Sequence, residues 1–398
     1  MINKVYIKNF RSIKEQEVEL APIVILCGPT GSGKTSFLYS ILAFKNLVTK
    51  SNQPIDQLFN FNFINLGYFE QLVFKGQTDN FIEIQINNEN GLYKTKISEK
   101  IDLIIESSLD SQPIELSIQI SLPYNNPISK LKEYISVDGK KYLFTWNGFW
   151  VEISSDPADE TNLEIQRKFN SIPEELRRTD IAPQRRGFFN FQYPITTHSN
   201  IPVTDQEVAS IIASDNNLQI DISYYLEEIS STEFRVYIPV KHTSSPSVCL
   251  LQTRYKGSRE FTSIVNEGFG INQIVYTLAK VLYHHNTLVM IEEPEIHLHP
   301  QMIRNFIRTL CQILTENRGK KQIMMITHSE NIVFSVLAAV KQKIIKPEDI
   351  TAYLVIKENK ETKFIRQRIN EHGQIEGGLI NFTSAQLEDI RIFLDMHE

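Results

Sequence analysis

Cysteine is scarce in this chain: Cys27, Cys249 and Cys311 are spread over 398 residues. They stand too far apart for a zinc spacing or a paired framework, so buried thiols in a reducing cytosol are expected and no disulfide is. Long apolar runs are missing too. No stretch reaches the length that crosses a bilayer, and the N-terminus, Met-Ile-Asn-Lys-Val-Tyr-Ile-Lys, alternates polar and apolar residues like a strand. The expectation is a soluble cytoplasmic protein with no membrane contact. Positive charge is not in excess, with Lys and Arg at 41 against 47 for Asp and Glu. The net charge of −6 argues against a broad nonspecific coat on nucleic acid and leaves open a local basic groove for DNA. Sustained heptads are also absent, which excludes long coiled-coil arms.

What is present begins with length. A chain of 398 residues exceeds the size at which single cores stop growing, so two lobes are expected. The segment 23–36, Ile-Val-Ile-Leu-Cys-Gly-Pro-Thr-Gly-Ser-Gly-Lys-Thr-Ser, is an apolar strand that runs into a glycine-rich turn and then a helix. Gly28, Gly31, Gly33, Lys34 and Thr35 fill the pattern G-x-x-x-x-G-K-[ST] of a nucleoside-triphosphate site. In it, the loop from Gly28 through Pro29, Thr30, Gly31, Ser32 and Gly33 to Lys34, Thr35 and Ser36 wraps the phosphates at a helix N-terminus, with the backbone N–H groups of its non-proline residues as donors. Lys34 reaches the β- and γ-phosphates, and the Thr35 hydroxyl holds Mg²⁺. Phe37, Leu38, Ile41 and Leu42 give the helix its apolar face.

Residues 3–9 and 18–26 read as strands around Phe10-Arg11-Ser12-Ile13-Lys14, with Phe10 in the core. Arg11 is either a contact to the nucleotide phosphates or ribose or a solvated turn residue. Gln71 or Gln77 is the candidate glutamine for sensing Mg²⁺ and the γ-phosphate. From 81 to 153 the period is two, with turns at 87–91 and 138–139, which predicts antiparallel hairpins. From about residue 156 polar helix formers take over, with helical patches at 203–214 and 218–229, followed by strands at 233–241 and 248–255. Arg177-Arg178 and Arg185-Arg186 form the densest basic cluster, read as a solvated loop in preference to a phosphate-binding one. The expected organisation is 1–80 and 261–398 as two parts of an ATPase core, with 81–260 inserted between them.

The second half of the site is at 287–300, Thr-Leu-Val-Met-Ile-Glu-Glu-Pro-Glu-Ile-His-Leu-His-Pro, a buried strand that ends in paired carboxylates. Mg²⁺-dependent hydrolysis needs one carboxylate at the metal and one at the attacking water, here Glu292 and Glu293 respectively. Upstream, Asn266 to Gln273 is a Gly-rich turn expected to be capped by Asn272 before a helix over 274–282. Downstream, a strand over 322–326 ends in Thr327-His328-Ser329. Glu295, His297 and His299 invite a metal reading; an extended segment without further ligands nearby favours none. Closing strands are expected at 349–356 and 362–369.

The P-loop, the Gly-x-Gly-x-Asn-Gln turn, Glu-Glu-Pro-Glu-x-His-Leu-His-Pro and Thr-His-Ser, in this order, resemble ABC-class ATPases of the RecF and SMC type. The wording is closest to stand-alone P-loop ATPases related to the overcoming-lysogenization-defect (OLD) proteins and the DUF3696 group. The resemblance implies an α/β, ABC-type P-loop NTPase core with an inserted antiparallel β plus helical second lobe. It also implies ATP and Mg²⁺ as cofactors, and sites completed in a homodimer or larger homo-oligomer. Gly270 and Asn272 would then contact the nucleotide of a second subunit, and His328 would be the switch histidine that senses the γ-phosphate. The sequence departs from the ABC signature Leu-Ser-Gly-Gly-Gln, and Glu292 stands where Asp is usual. Nothing after 369 resembles the Toprim nuclease of OLD proteins, so an effector, a nuclease or toxin, is expected on another chain. The setting implied is prokaryotic anti-phage defence; the alternative is a RecF-like DNA-binding repair ATPase.

Overall fold

The computed structural model describes residues 1–99, 102–110, 112–123, 131–137, 139–155, 160–196, 204–239 and 247–376. In chain order, β1 (Lys4–Phe10), β2 (Ile13–Glu19) and β3 (Ile23–Cys27) precede α1 (Lys34–Thr49) and the short α2 (Phe69–Leu72). Then come β4 (Ile82–Asn87), β5 (Gly91–Ile97), β6 (Asp102–Leu109), β7 (Gln112–Ser121), β8 (Leu131–Val137), β9 (Lys140–Trp146) and β10 (Val151–Ser154). α3 (Glu160–Arg177), β11 (Thr179–Ala182), β12 (Tyr193–Pro194), α4 (Asp205–Ser214), α5 (Asn216–Ser230), β13 (Thr232–Tyr237), β14 (Val248–Tyr255) and β15 (Thr262–Ser263) follow. The chain continues through α6 (Phe269–Leu282), β16 (Leu288–Glu292), α7 (Pro300–Glu316), β17 (Gln322–Thr327), α8 (Glu330–Lys341), β18 (Ile350–Glu358) and β19 (Glu361–Gln367).

The sheet that positions the site has the order β11-β16-β17-β3-β18-β19, parallel throughout except for β19. Every residue of β3, β16 and β17 is buried, because both faces are covered, and a strand covered on both faces must be apolar throughout. Val24, Leu26, Met290 and Met324 face one core, shared with α1 and the antiparallel sheet β2-β1-β4-β5-β6-β7. Ile25, Ile291 and Met325 face a second core, built with α4 to α8. In α7, Ile303, Phe306, Ile307, Leu310 and Leu314 recur at helical spacing and make the face that enters this core, while Arg304 and Arg308 stay exposed.

The α/β class is the architecture found, with the P-loop strand β3 inside a mostly parallel sheet. Several local expectations differ. The strand expected over 18–26 is two strands, because Pro22 has no N–H to donate to a ladder and separates β2 from β3. The sheets also do not divide at 81 and 260. β4 pairs with β1, and β11, within the stretch expected as an insertion, pairs in parallel with β16 as an edge of the core sheet. Of the strand expected over 233–241, residues 240–241 lie outside the described residues, as do residue 138 of the predicted turn and residues 156–159.

Candidate nucleotide site

Parallel strands deliver their carboxyl ends to one edge, and ligands of open α/β sheets bind there. β3 leads into the P-loop at that edge, β16 into Glu292 and Glu293, β17 into Thr327 and His328, and β11 into Gln184. The P-loop is wedged in place. A Cβ at Gly28 would lie 2.1 Å from the Val355 carbonyl oxygen of β18. At Gly33, where φ is 107°, a Cβ would lie 2.1 Å from Thr362 Oγ1 and 2.9 Å from Ser12 Oγ. Those two hydroxyls are bonded to each other at 2.8 Å, and Thr362 also donates to the Ser32 carbonyl at 2.8 Å. Glycine is therefore demanded by close approach as well as by backbone angle.

Lys34 is buried and folded back over the loop, where its Nζ donates to the carbonyls of Gly28 (2.6 Å) and Pro29 (2.9 Å). Burial pushes its pKa down to about 8, opposed by the carboxylates of Glu293 and Glu295. A cavity of about 700 Å³ opens beside it, lined by Thr30, Gly31, Gly33, Thr35, Ser36, Glu293 and His328. Arg11, Lys75, Lys357 and Lys360 add positive charge to its wall. Of the two glutamines considered, Gln71 lines this cavity and Gln77 does not.

Glu292 is buried; its Oε2 accepts from the Gln184 backbone N–H at 2.9 Å, and the Tyr39 hydroxyl bonds the carboxylate. Burial raises the Glu292 pKa, opposed by those hydrogen bonds and by Arg186. Glu293 has a positive φ of 43°, unusual for a residue with a Cβ. Its Oε1 is 3.2 Å from His328 Nε2, and its Oε2 accepts from Gln184 Nε2 at 3.1 Å. The other ring nitrogen of His328 is 2.9 Å from the Gly28 carbonyl, so the imidazole spans the P-loop and the second carboxylate. Glu295 Oε1 accepts from Thr327 Oγ1 (2.6 Å) and from the backbone of His328 and Ser329 (3.1 Å each), which ties β16 to β17.

Three expectations are corrected by this geometry, and Gly270 is given a packing contact besides. Asn272 does not cap a helix: α6 starts at Phe269 after Gly268, and Asn272 is buried inside it. Its amide is used by the Phe188 N–H (2.7 Å) and the Phe188 and Ile264 carbonyls (2.8 and 3.3 Å), so it is not offered to a ligand. Gly270 is a packing glycine, where a Cβ would lie 2.7 Å from the His297 carbonyl oxygen. The basic cluster is no solvated loop. Arg186 is 2% exposed; Arg178 bonds the carbonyls of His284 and His285, Arg177 lies over Trp150, and Arg185 lies over Phe189. Finally, 293–298 is a pair of turns, not an extended segment, closed by Ile296 N to Glu293 O and Leu298 N to Glu295 O. There His297 packs edge-on against Phe269, while His299 caps α7. Among the described residues no group of three His, Cys, Asp or Glu is arranged to hold a metal.

Sequence reasoning missed Gln184, Arg186 and Tyr39 as neighbours of the carboxylates. The only local signal for Gln184 and Arg186 is Ile181-Ala182-Pro183, at the end of a strand too short to stand out beside the arginines, and Tyr39 lies within α1. The family model described as "AAA ATPase domain" matches residues 1–333. Solved structures similar to the chain include an SMC head domain from Thermotoga maritima, at TM-score 0.45 and 11% identity, covering 92% of this chain and 98% of that one. They also include an Smc head bound to the C-winged helix domain of ScpA, at TM-score 0.49 and 11% identity, covering 92% and 97%. A third is an Smc head domain with an extended coiled coil, bound to a C-terminal domain of ScpA derived from Pyrococcus furiosus, at TM-score 0.48 and 9% identity, covering 98% and 99%. No curated protein matches the chain. Among the described residues no helix is long and apolar enough to cross a membrane.

Proposed function

Because this chain belongs to the AAA ATPase domain family and is an ATPase, we propose that it is a nucleotide-driven switch whose hydrolysis runs through Glu293 and His328. The observation that carries the reading is the convergence of Lys34, Glu293 and His328 on one cavity, with His328 touching both the P-loop carbonyl of Gly28 and Glu293. The P-loop backbone, Lys34, Thr35 and Ser36 take the phosphates of ATP, and Arg11 adds charge at the cavity wall. Glu293 is the general base for the attacking water, and His328 moves from Glu293 to the γ-phosphate once it is bound.

Thr35 lines the cavity and Glu292 directly precedes Glu293 at its edge; their hydroxyl and carboxylate are the hard oxygen donors that suit Mg²⁺. When bound there, Mg²⁺ supplies positive charge to the β- and γ-phosphates. Gly268 and Phe269 are exposed at the N-terminus of α6, a helix start suited to an anion brought by a second copy. ATP therefore closes a homodimer through this turn, with Gly270 seating it on the 293–298 turns. The resemblance to OLD-like ATPases supports an output through an effector partner, a nuclease or toxin, in anti-phage defence.

Glu293→Gln tests the reading. ATP binding by calorimetry is expected to survive while turnover falls by roughly two orders of magnitude, the scale for loss of a general base. Turnover at the parental rate would overturn it.

A further inference from the structure

The strap from Pro183 to Phe188 leaves the edge of the core sheet after β11 and crosses in front of the carboxylates before reaching α6. Arg186 is buried and spans consecutive carbonyls at the end of β16: its Nη1 donates to Glu292 O at 2.6 Å and to Pro183 O at 3.1 Å, and its Nη2 to Glu293 O at 3.0 Å. A planar guanidinium fork matches such paired acceptors, and lysine does not. The peptide it grips is the one with the positive φ at Glu293. A side-chain-bearing residue stays there only when its surroundings hold it.

Gln184 acts on the carboxylates themselves. Its backbone N–H binds Glu292 Oε2 and its side-chain amide binds Glu293 Oε2, which leaves Glu293 Oε1 toward His328 and the cavity. We propose that Gln184 and Arg186 are positioning residues for ATP hydrolysis, Arg186 fixing the Glu292–Glu293 backbone and Gln184 aiming the free oxygen of Glu293 at the attacking water. This rests on the reading of Glu293 as general base. When His328 leaves for the γ-phosphate, Oε1 is freed while Oε2 stays held by Gln184, so the base does not swing. The far end of the strap is pinned by Asn272, whose amide takes both the N–H and the carbonyl of Phe188, and a Cβ at Gly187 would lie 2.8 Å from its Oδ1. The strap thus joins the start of α6 to the base.

Gln184 is exposed, so Gln184→Met, which keeps length and removes the amide donor, leaves the fold intact. The expected result is a fall in kcat of about tenfold, within the range for losing a group that orients a reactive one, with KM for ATP and Tm unchanged. In the Glu293→Gln background, measured in single turnover, the same substitution should cost nothing more, because it acts only through Glu293. Arg186→Lys should lower kcat further, and Tm with it. Unchanged kcat in Gln184→Met, or equal proportional losses in both backgrounds, would overturn the inference while Glu293→Gln remained inactive. Parental turnover in Glu293→Gln alone would instead remove the base on which the inference stands.

Discussion

Lys34 shows how a single residue can be held ready for its ligand. Its ammonium is buried among the carbonyls of Gly28 and Pro29, and burial pulls its pKa to about 8, so the charge is poorly solvated while the phosphates are away. An arriving phosphate supplies the counter-charge that these carbonyls provide only in part. Lys34→Ala is therefore expected to remove measurable ATP binding in calorimetry, and an affinity equal to that of the parent would refute the phosphate role. Glu293 and His328, whose Nδ1 lies 3.3 Å from Lys34 Nζ, share the same logic, since each now occupies a hydrogen-bonding position of the other that the γ-phosphate and water would take.

At the scale of elements, α6 and the strap after β11 are coupled through one buried amide. Asn272 makes three hydrogen bonds to backbone groups of Phe188 and Ile264. Asn272→Ala would leave those buried groups unpaired, at about 1–3 kcal/mol for the desolvation penalty. Chemical denaturation should show a loss of that order with the denaturant slope unchanged; stability equal to the parent would mean that water or a shift of the strap replaces the amide. The same variant should retain ATP binding at its own P-loop, because Asn272 lies outside the cavity wall.

The whole molecule buries charge between its layers. Lys280 and Asp180 form an ion pair at 2.9 Å, 1% and 4% exposed, behind the core sheet. Lys321 donates to the carbonyls of Tyr283 (2.5 Å) and Asn286 (2.9 Å), and burial lowers its pKa to about 8. An unfolded lysine titrates near 10.4, so between about pH 8 and 10 the unfolded chain binds more protons than the folded one at this site. The sign follows. Lys321 makes its full unfavourable contribution below pH 8, and stability recovers as pH rises from about 8 toward 10. Thermal unfolding of Lys321→Met should show a smaller gain in Tm over that window than the parent, and identical pH slopes would exclude the effect.

The sequence by itself determined the chemistry of the edge: an apolar strand running into Gly28 to Ser36, a second ending in Glu292-Glu293, and a third ending in Thr327-His328. Those signals are local, because a strand buried on both faces must be apolar throughout and a phosphate loop needs glycine at fixed offsets. Only the tertiary structure decided how the edge is held. Arg186 looked like one of four solvated arginines, since charge in a sequence carries no record of burial, and β11 is too short to show a period. Asn272 looked like a cap because Asn after glycine commonly is one; the helix instead begins earlier, where Gly270 can press against the His297 carbonyl. Contacts between residues as far apart as Gln184 and Glu293 arise from which strands lie side by side, and that order is set by packing two cores against one sheet.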